Sequence, residues 1–418
     1  MASVTRILSL IGRTLLLSLI VLSCSSNIDP NENLDPTLVL ISVDGFRHDY
    51  AESNSTPTFD YIAQNGVKAN SLIPVFPSKT FPNHYTQVTG LYPENHGLVS
   101  NNMFDPEDSS IYKIGKGSDA VLQSKWYSGE PIWSTAEKQG KIAASYFWPG
   151  SEAEIAGERP TYYEQYNGSI PNRERFDQVI KWLELPKEER PQFITLYMSL
   201  VDDAGHRYGT ESTEVRESVK EVDQILKYFF DGLKARGLEN EVNVIVVSDH
   251  GMVNMSRDQI VFIDDYINIE QYHIIDRSPI VMMKMPEENI AAVYDSLAGK
   301  SPHMQVYTKE NMPERLHYSN HRLIPDIICI PDEGYMITDH KYFDSRPSAY
   351  TGGNHGYDFK HSSMHGIFYG IGPAFKSGYQ GESFQSIHLY ELMCRILELN
   401  PAENDGSLAK TQEFLKNP

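Results

Sequence analysis

Three apolar runs, each leading to an aspartate, constrain this chain more than any other feature. Residues 38–43 (LVLISV) lead to Asp44, residues 193–201 (FITLYMSLV) to Asp202, and residues 242–247 (VNVIVV), one serine later, to Asp249. Apolar stretches rich in β-branched residues and without polar alternation are the pattern of strands buried on both faces, as in parallel sheets covered by helices. The segments between them carry helical periodicity: 56–65 after Thr56-Pro57, 85–89 closed by Gly90, 130–140, 173–185, and 214–236 closed by Gly237. Residues 142–147 read as a further strand and the aromatic-rich stretch 148–166 as loop. Strands alternating with helices predict an α/β protein with a mostly parallel central sheet flanked by helices. Between 254 and 340 the rhythm breaks into short pieces such as SPIVMMKMP (278–286), a helix over 287–298 and IPDIICI (324–330). This region is expected to be an inserted smaller lobe, with 37–253 and 341–418 forming the core and ending in a strand at 367–369 and a helix at 387–397.

The amino end reads as an export signal over residues 1–23, with Arg6 and Arg13 ahead of an apolar core (15–22) too short to span a bilayer. Val21-Leu22-Ser23-Cys24 resembles a bacterial lipoprotein cleavage site, which would make Cys24 a lipid-anchored terminus and 24–36 a polar tether. The alternative is an ordinary secretory peptide cleaved nearby. Both readings export the protein, to the periplasm or the cell surface. Beyond that segment only Cys329 and Cys394 remain, too few for a disulfide framework, and both read as buried thiols. A formal charge of −20 excludes a generic nucleic-acid binder. It also repels anionic substrates, so attraction to a phosphate ester has to be local, with bound cations its natural source. A monomer is expected.

In an open α/β sheet, ligands gather at the carboxyl ends of the strands, where this reading puts Asp44, Asp202 and Asp249. Each alone is ordinarily a cap or turn residue. Histidines accompany them: His206 four residues after Asp202 in DDAGH, where a tight turn or a first helical turn points both side chains one way, and His250 directly after Asp249. His355 lies in TGGNHGYD, where Gly352, Gly353 and Gly356 permit unusual φ values and leave room for a metal. Three carboxylates and three imidazoles suit zinc better than magnesium or calcium. Thr80, in FPSKTFPNH between Pro77 and Pro82, reads as the hydroxyl of a stiff loop, neither helix interior nor central strand. Such a threonine is ordinarily a turn residue; beside metals it becomes a nucleophile.

The segments ISVDGFRHDY, FPSKTFPNHYTQVTGLYPENHGL, NNMFDP, WPGSE, DDAGH, SDHGM and GNHGYD closely resemble the nucleotide pyrophosphatase/phosphodiesterase family of the alkaline phosphatase superfamily, from about residue 37 to the carboxyl end. The resemblance implies an alkaline-phosphatase-like core and two zinc ions, one held by Asp202, His206 and His355, the other by Asp44, Asp249, His250 and the nucleophile Thr80. Asn101 in NNMFDP would hydrogen-bond a nonbridging phosphate oxygen. Phe81 and Tyr166 match the aromatic pair that sandwiches a nucleobase. Asp203 falls where the family has a small polar residue and is given no role, while His84 and His96 are read as structural.

Charge supports diester chemistry independently. Two divalent cations balance three aspartates and an ionised Thr80, leaving a nearly neutral site suited to a monoanionic diester. A dianionic monoester would call for an added cation; Arg47 and Arg207 read as solvated or paired with nearby acids, and Lys79 turned inward would alter the balance. The expected activity is hydrolysis of nucleotides or dinucleotides to nucleoside 5′-monophosphates through a phosphothreonine. Alternatives are a diesterase of choline-type phospholipid headgroups and, in a different class, a non-catalytic metal-dependent binder of anionic ligands at the cell surface.

Overall fold

The structure, a computed structural model, describes residues 35–115, 118–346 and 350–417. The export signal, the proposed anchor Cys24 and most of the tether lie outside the described residues. No helix among those described is long and apolar enough to cross a membrane. In chain order the elements that matter here are β1 (Thr37–Val43), α1 (Pro57–Asn65), β2 (Val67–Ala69), α2 (Thr80–Thr89), α3 (Ile132–Lys138), β3 (Ala143–Tyr146), β4 (Tyr162–Glu164), α4 (Asn172–Leu183), β5 (Phe193–Met198), α5 (Leu200–Tyr208), α6 (Thr213–Lys234), β6 (Val242–Val247), β7 (His273–Arg277), β8 (Val281–Lys284), α7 (Glu287–Leu297), β9 (Met304–Thr308), β10 (Ile327–Pro331), β11 (Phe368–Ile371), β12 (Tyr379–Gly381) and α8 (Leu389–Ile396).

Eight strands form one sheet in the order β12-β2-β11-β6-β1-β5-β3-β4. All pairings are parallel except those of β11, which runs against β2 and β6. The three apolar runs are adjacent in the middle: β1 pairs with β5 from Leu38↔Phe193 to Val43↔Met198, and with β6 from Thr37↔Val242 to Ser42↔Val247. Every residue of β1 and β6 is buried. Burying an aliphatic side chain fully contributes roughly 1.5–3 kcal/mol, so these runs have no comparably stable exposed arrangement. Helix α6 shows how the layers lock. Ser212 caps it by accepting the Val215 N–H, and Val215, Val219, Val222, Leu226, Phe229 and Leu233 are buried at three- and four-residue spacing. From the same helix, the Asp223 carboxylate accepts the N–H groups of Thr58 (2.8 Å) and Phe59 (3.1 Å), satisfying the open amino end of α1 behind Pro57.

Three local expectations are corrected. Residue 80 is not in a loop: Thr80 is the first residue of α2, and Pro82 sits in the first turn, where its missing N–H would have had no helical partner. The apolar run 193–201 is not one strand. It stops at Met198, and Leu200 already begins α5, so Asp202 lies in a first helical turn. The stretch 148–166 is not all loop, because Tyr162–Glu164 adds an edge strand beside β3.

Residues 273–331 build a second sheet, antiparallel throughout, in the order β7-β8-β10-β9. Its face toward α7 has its own core of Val281, Met283, Val293, Leu297, Met304 and Ile327 among others. Cys329, in that core, and Cys394, in the main one, are buried and free.

Candidate active site

The central strands deliver their aspartates to one edge. Asp44 directly follows β1, Asp249 lies two residues beyond β6, and Asp202 enters after β5 through α5, with His206 one turn further on. Backbone bonds fix these ends together: the Asp202 N–H donates to the Asp44 carbonyl at 3.1 Å, and the Gly45 N–H to Asp249 Oδ1 at 3.2 Å. At Gly45, φ is +66° and a Cβ would come within 2.9 Å of Asp202, so glycine is required where the first two aspartates meet.

His206, His250 and His355 converge on the carboxylates. His250 Nε2 is 3.0 Å from Asp249 Oδ2 and 3.5 Å from Asp44 Oδ1; His206 Nε2 is 3.4 Å from Asp202 Oδ2, and His355 Nε2 is 3.8 Å from Asp202 Oδ1. His206 and His355 face each other Nε2 to Nε2 at 3.1 Å, and the His250 and His355 rings stack with centroids 3.6 Å apart. The hydroxyl of Thr80 reaches this group, with Oγ1 3.4 Å from His250 Nε2.

Two features test whether these residues suit a cation. First, each imidazole places Nδ1 against a main-chain carbonyl: His206 against Gly353 at 3.0 Å, His250 against Gly251 at 2.9 Å and His355 against Ser78 at 2.8 Å. A carbonyl only accepts, so Nδ1 of each ring carries a proton and Nε2 is the atom turned inward, the arrangement of metal-ligating histidine. Second, Asp44 Oδ1, Asp202 Oδ1 and Asp249 Oδ2 are buried without a hydrogen-bond partner among the described residues. Buried carboxylate oxygens in that condition are costly unless a cation meets them. Burial, with Asp249 and Asp202 nearby, pushes the Asp44 carboxyl well above its ordinary range, and burial likewise raises Asp202. For Asp249 burial acts in the same direction but His250 and His84 outweigh it, holding it down at about 2. Burial and the two neighbouring imidazoles hold His355 well below the ordinary histidine value. The residues therefore fit a divalent cation. Two ligand groups arise, Asp202 with His206 and His355, and Asp44 with Asp202 and His250. Asp202 belongs to both; Asp249 is in neither, and its Oδ2 lies 3.0 Å from His250 Nε2 at the edge of the second.

Asn101 borders Thr80: its Oδ1 accepts the Phe81 N–H at 3.0 Å, which turns the amide nitrogen the other way. Phe81 packs edge-on to Tyr112, whereas Tyr166, 54% exposed, rests its ring on Phe147 and Tyr197. His84 bridges Thr80 O and Ser42 Oγ, each at 2.8 Å, behind the site. Arg47 is paired with Asp49. One residue that sequence reasoning missed is Tyr197, the penultimate residue of β5, whose hydroxyl donates to Asp44 Oδ2 at 2.5 Å. Its signal, a phenol inside an apolar run one residue from the strand end, is a weak one. A second difference concerns Gly352 and Gly353, which do not have positive φ. Their missing side chains make room for His206 O and Met252 Sδ, and only Gly356, at +113°, uses the conformational freedom of glycine.

Fold and cluster together define an α/β protein with a carboxylate–imidazole centre at the carboxyl edge of its sheet. More specifically, residues 38–358 match the family model described as Type I phosphodiesterase / nucleotide pyrophosphatase, and the chain belongs to that family. It is 38% identical over 391 residues to a venom phosphodiesterase of Naja atra, covering 91% of this chain and 46% of that protein. It is 36% identical over 398 residues to human ectonucleotide pyrophosphatase/phosphodiesterase family member 1, covering 92% and 42%. The chain thus spans about half the length of the curated relatives it matches. Murine ectonucleotide pyrophosphatase/phosphodiesterase 5 superposes with a TM-score of 0.86 at 38% identity, covering 91% of this chain and all of that one. The same murine protein in an inactive threonine-to-alanine form, in complex with AMP, superposes equally well.

Proposed function

We propose that this protein is a two-zinc phosphodiesterase and nucleotide pyrophosphatase that cleaves nucleotide phosphodiester or phosphoanhydride bonds and releases nucleoside 5′-monophosphates. The observation that carries the reading is the set of three inward Nε2 atoms and three buried carboxylate oxygens, without a hydrogen-bond partner among the described residues, gathered beside the Thr80 hydroxyl. The names of the relatives support the activity, and the AMP complex of the murine relative supports a nucleotide in the site.

Asp202, His206 and His355 would hold one ion and Asp44, Asp249 and His250, with Thr80, the other. Such a pair supplies Lewis acidity and the positive charge that a phosphate requires on this acidic protein. Thr80 Oγ1 attacks phosphorus, the bond to the leaving oxygen breaks, and a phosphothreonine forms that water then hydrolyses. As the first residue of α2, Thr80 sits at the positive end of the helix dipole, which favours the oxyanion over the neutral alcohol. The Asn101 amide nitrogen donates to a nonbridging oxygen, and its orientation is set by the bond from the Phe81 N–H. Phe81 and Tyr166 flank the base, and stacking on aromatic faces contributes about 1–3 kcal/mol per base. We read 254–340 as an inserted lobe and the enzyme as exported, in keeping with relatives named for venom and for ecto-enzymes.

The test is one panel at fixed zinc: nitrophenyl thymidine 5′-monophosphate, nitrophenyl phosphorylcholine and nitrophenyl phosphate. We expect the nucleotide diester to be preferred, activity to disappear with chelator and return with zinc, and Thr80→Ala to abolish turnover while retaining metal. Preference for phosphorylcholine would favour lipid headgroup chemistry instead. Zinc binding without turnover of any substrate would reduce the protein to an anion binder.

A further inference from the structure

The strand β7 carries a bulge whose consequence reaches the nucleophile. Its pairing with β8 shifts between Ile274↔Met283 and Asp276↔Met282, so Ile275 is an extra residue. Ile274 packs with the core of the second sheet and Ile275 with the main core. Strict alternation would send residue 276 back with Ile274, but a bulge lets two successive residues lie on one side. Asp276 follows Ile275 toward the main sheet and is buried there.

Its Oδ2 accepts from two groups, the Lys79 ammonium at 2.6 Å and the Ser100 hydroxyl at 2.6 Å. Lys79 immediately precedes Thr80, and Ser100 immediately precedes Asn101. One carboxylate oxygen therefore ties together the segments bearing the proposed nucleophile and the proposed phosphate-oxygen donor, which are otherwise linked by the bond from the Phe81 N–H to Asn101. The Lys79 stem is confined as well, since a Cβ on Gly356 would lie 3.1 Å from Lys79 Cε. The same pairing offsets the charge of Lys79, so its ammonium does not serve as the added cation a phosphate monoester would need.

We propose that Asp276 is a positioning residue that sets Thr80 and Asn101 relative to each other through Lys79 and Ser100. This rests on the phosphodiesterase reading above. Residues held within hydrogen-bonding distance of one shared acceptor move as a unit, and misplacing reacting groups by about 1 Å costs on the order of 100-fold in rate. Because Asn101 acts on the transition state, the loss falls on kcat and kcat/KM alike and not on KM.

The experiment compares wild type, Asp276→Asn, Ser100→Ala and the double variant on nitrophenyl thymidine 5′-monophosphate, together with hydrogen exchange of residues 78–84 and 98–104. Asp276→Asn should lower kcat about 10- to 100-fold with KM within about threefold. Ser100→Ala, which leaves the ion pair intact and guards against a folding failure of the first variant, should lower it about 3- to 10-fold. The double variant should be no worse than Asp276→Asn alone. Exchange should accelerate in both segments of Asp276→Asn and not across the sheet. Unchanged exchange in both segments, or a kcat within twofold of wild type in a variant with lowered Tm, would overturn the proposal. A wild-type protein that turns over no nucleotide would overturn the functional reading alone, because the exchange result decides the positioning role without turnover.

Discussion

Gly352→Ala adds one methyl group where the loop bearing His355 crosses the helix bearing His206. Its Cβ would stand 1.9 Å from the His206 carbonyl oxygen, 2.7 Å from the carbonyl carbon and 3.2 Å from the carbonyl carbon of Arg207. The obstacles are main chain, so no side-chain rotation relieves them. A Cβ contact under 3.0 Å is essentially never sustained, so loop and helix must separate by about 1.1 Å, the difference between 3.0 and 1.9 Å. That displacement is taken directly by the two imidazoles, now 3.1 Å apart, and by the Nδ1 bond of His206 to Gly353. Overpacking of this kind costs about 1–3 kcal/mol in stability, and about 1 Å of misplacement costs on the order of 100-fold in turnover. Gly352→Ala should therefore lose about two orders of magnitude in kcat and release zinc to a chelator that leaves the wild type loaded, with Tm lower by only a few degrees. Gly334→Ala is the control. Its φ of +80° penalises any side chain, but its Cβ meets nothing closer than 3.6 Å, so it should lose stability and keep its metal and activity. Full activity and zinc retention in Gly352→Ala would refute the reasoning.

Other outcomes follow from single contacts. Tyr197→Phe keeps the ring against His84 and Tyr166 but removes the donor to Asp44, and should weaken zinc binding about 10- to 100-fold in a chelator competition. His96 is buried, with Nδ1 accepting the Leu98 N–H and Nε2 bonded to Thr86 Oγ1, and burial lowers it from 6.5 to about 3. Between those values the unfolded chain binds the proton and the folded one does not. Its contribution is therefore complete above pH 6.5 and declines below it by up to about 1.4 kcal/mol per pH unit, or about 2 kcal/mol at pH 5. Urea unfolding of His96→Gln between pH 7 and pH 5 should show a correspondingly shallower slope, and a slope equal to wild type would exclude His96 as its source. Asp223→Ala, which uncaps α1, should cost about 0.5–2 kcal/mol in urea unfolding without changing kcat or KM.

What could be read from the chain tracks how local the physics is. The runs ending at Asp44 and Asp249 were legible because a strand buried on both faces has no polar alternation to obscure it. The run 193–201 was only half legible. Leu200 and Val201 continue the apolarity of β5 into α5, and periodicity cannot separate a short buried strand from the first helical residues that follow it. The edge strand Tyr162–Glu164 leaves no alternation at all, since its residues are half-buried or exposed. At Thr80 the two prolines argued against helix, yet the penalty applies to helix interiors, and Pro82 falls in the first turn.

The candidate site shows the same division. Aspartates, histidines and a threonine announce metal and phosphate chemistry by residue type, but the carbonyls of Gly353, Gly251 and Ser78 that fix the three imidazoles have no residue type at all. The glycines near them look like a request for backbone freedom, and the structure gives most of them another reason. A Cβ on Gly205, in DDAGH, would lie 2.3 Å from Met252 Sδ, and one on Gly353, in GGNH, 2.5 Å from the same sulfur. Met252 belongs to SDHGM, two residues after His250. One methionine side chain thus occupies the space left by two glycines from separate parts of the sequence, and it holds α5 and the His355 loop at the separation where Gly353 O can accept from His206. Three short motifs that look independent along the chain are one packing unit, so a substitution at any of those glycines acts on the imidazoles of the other two segments.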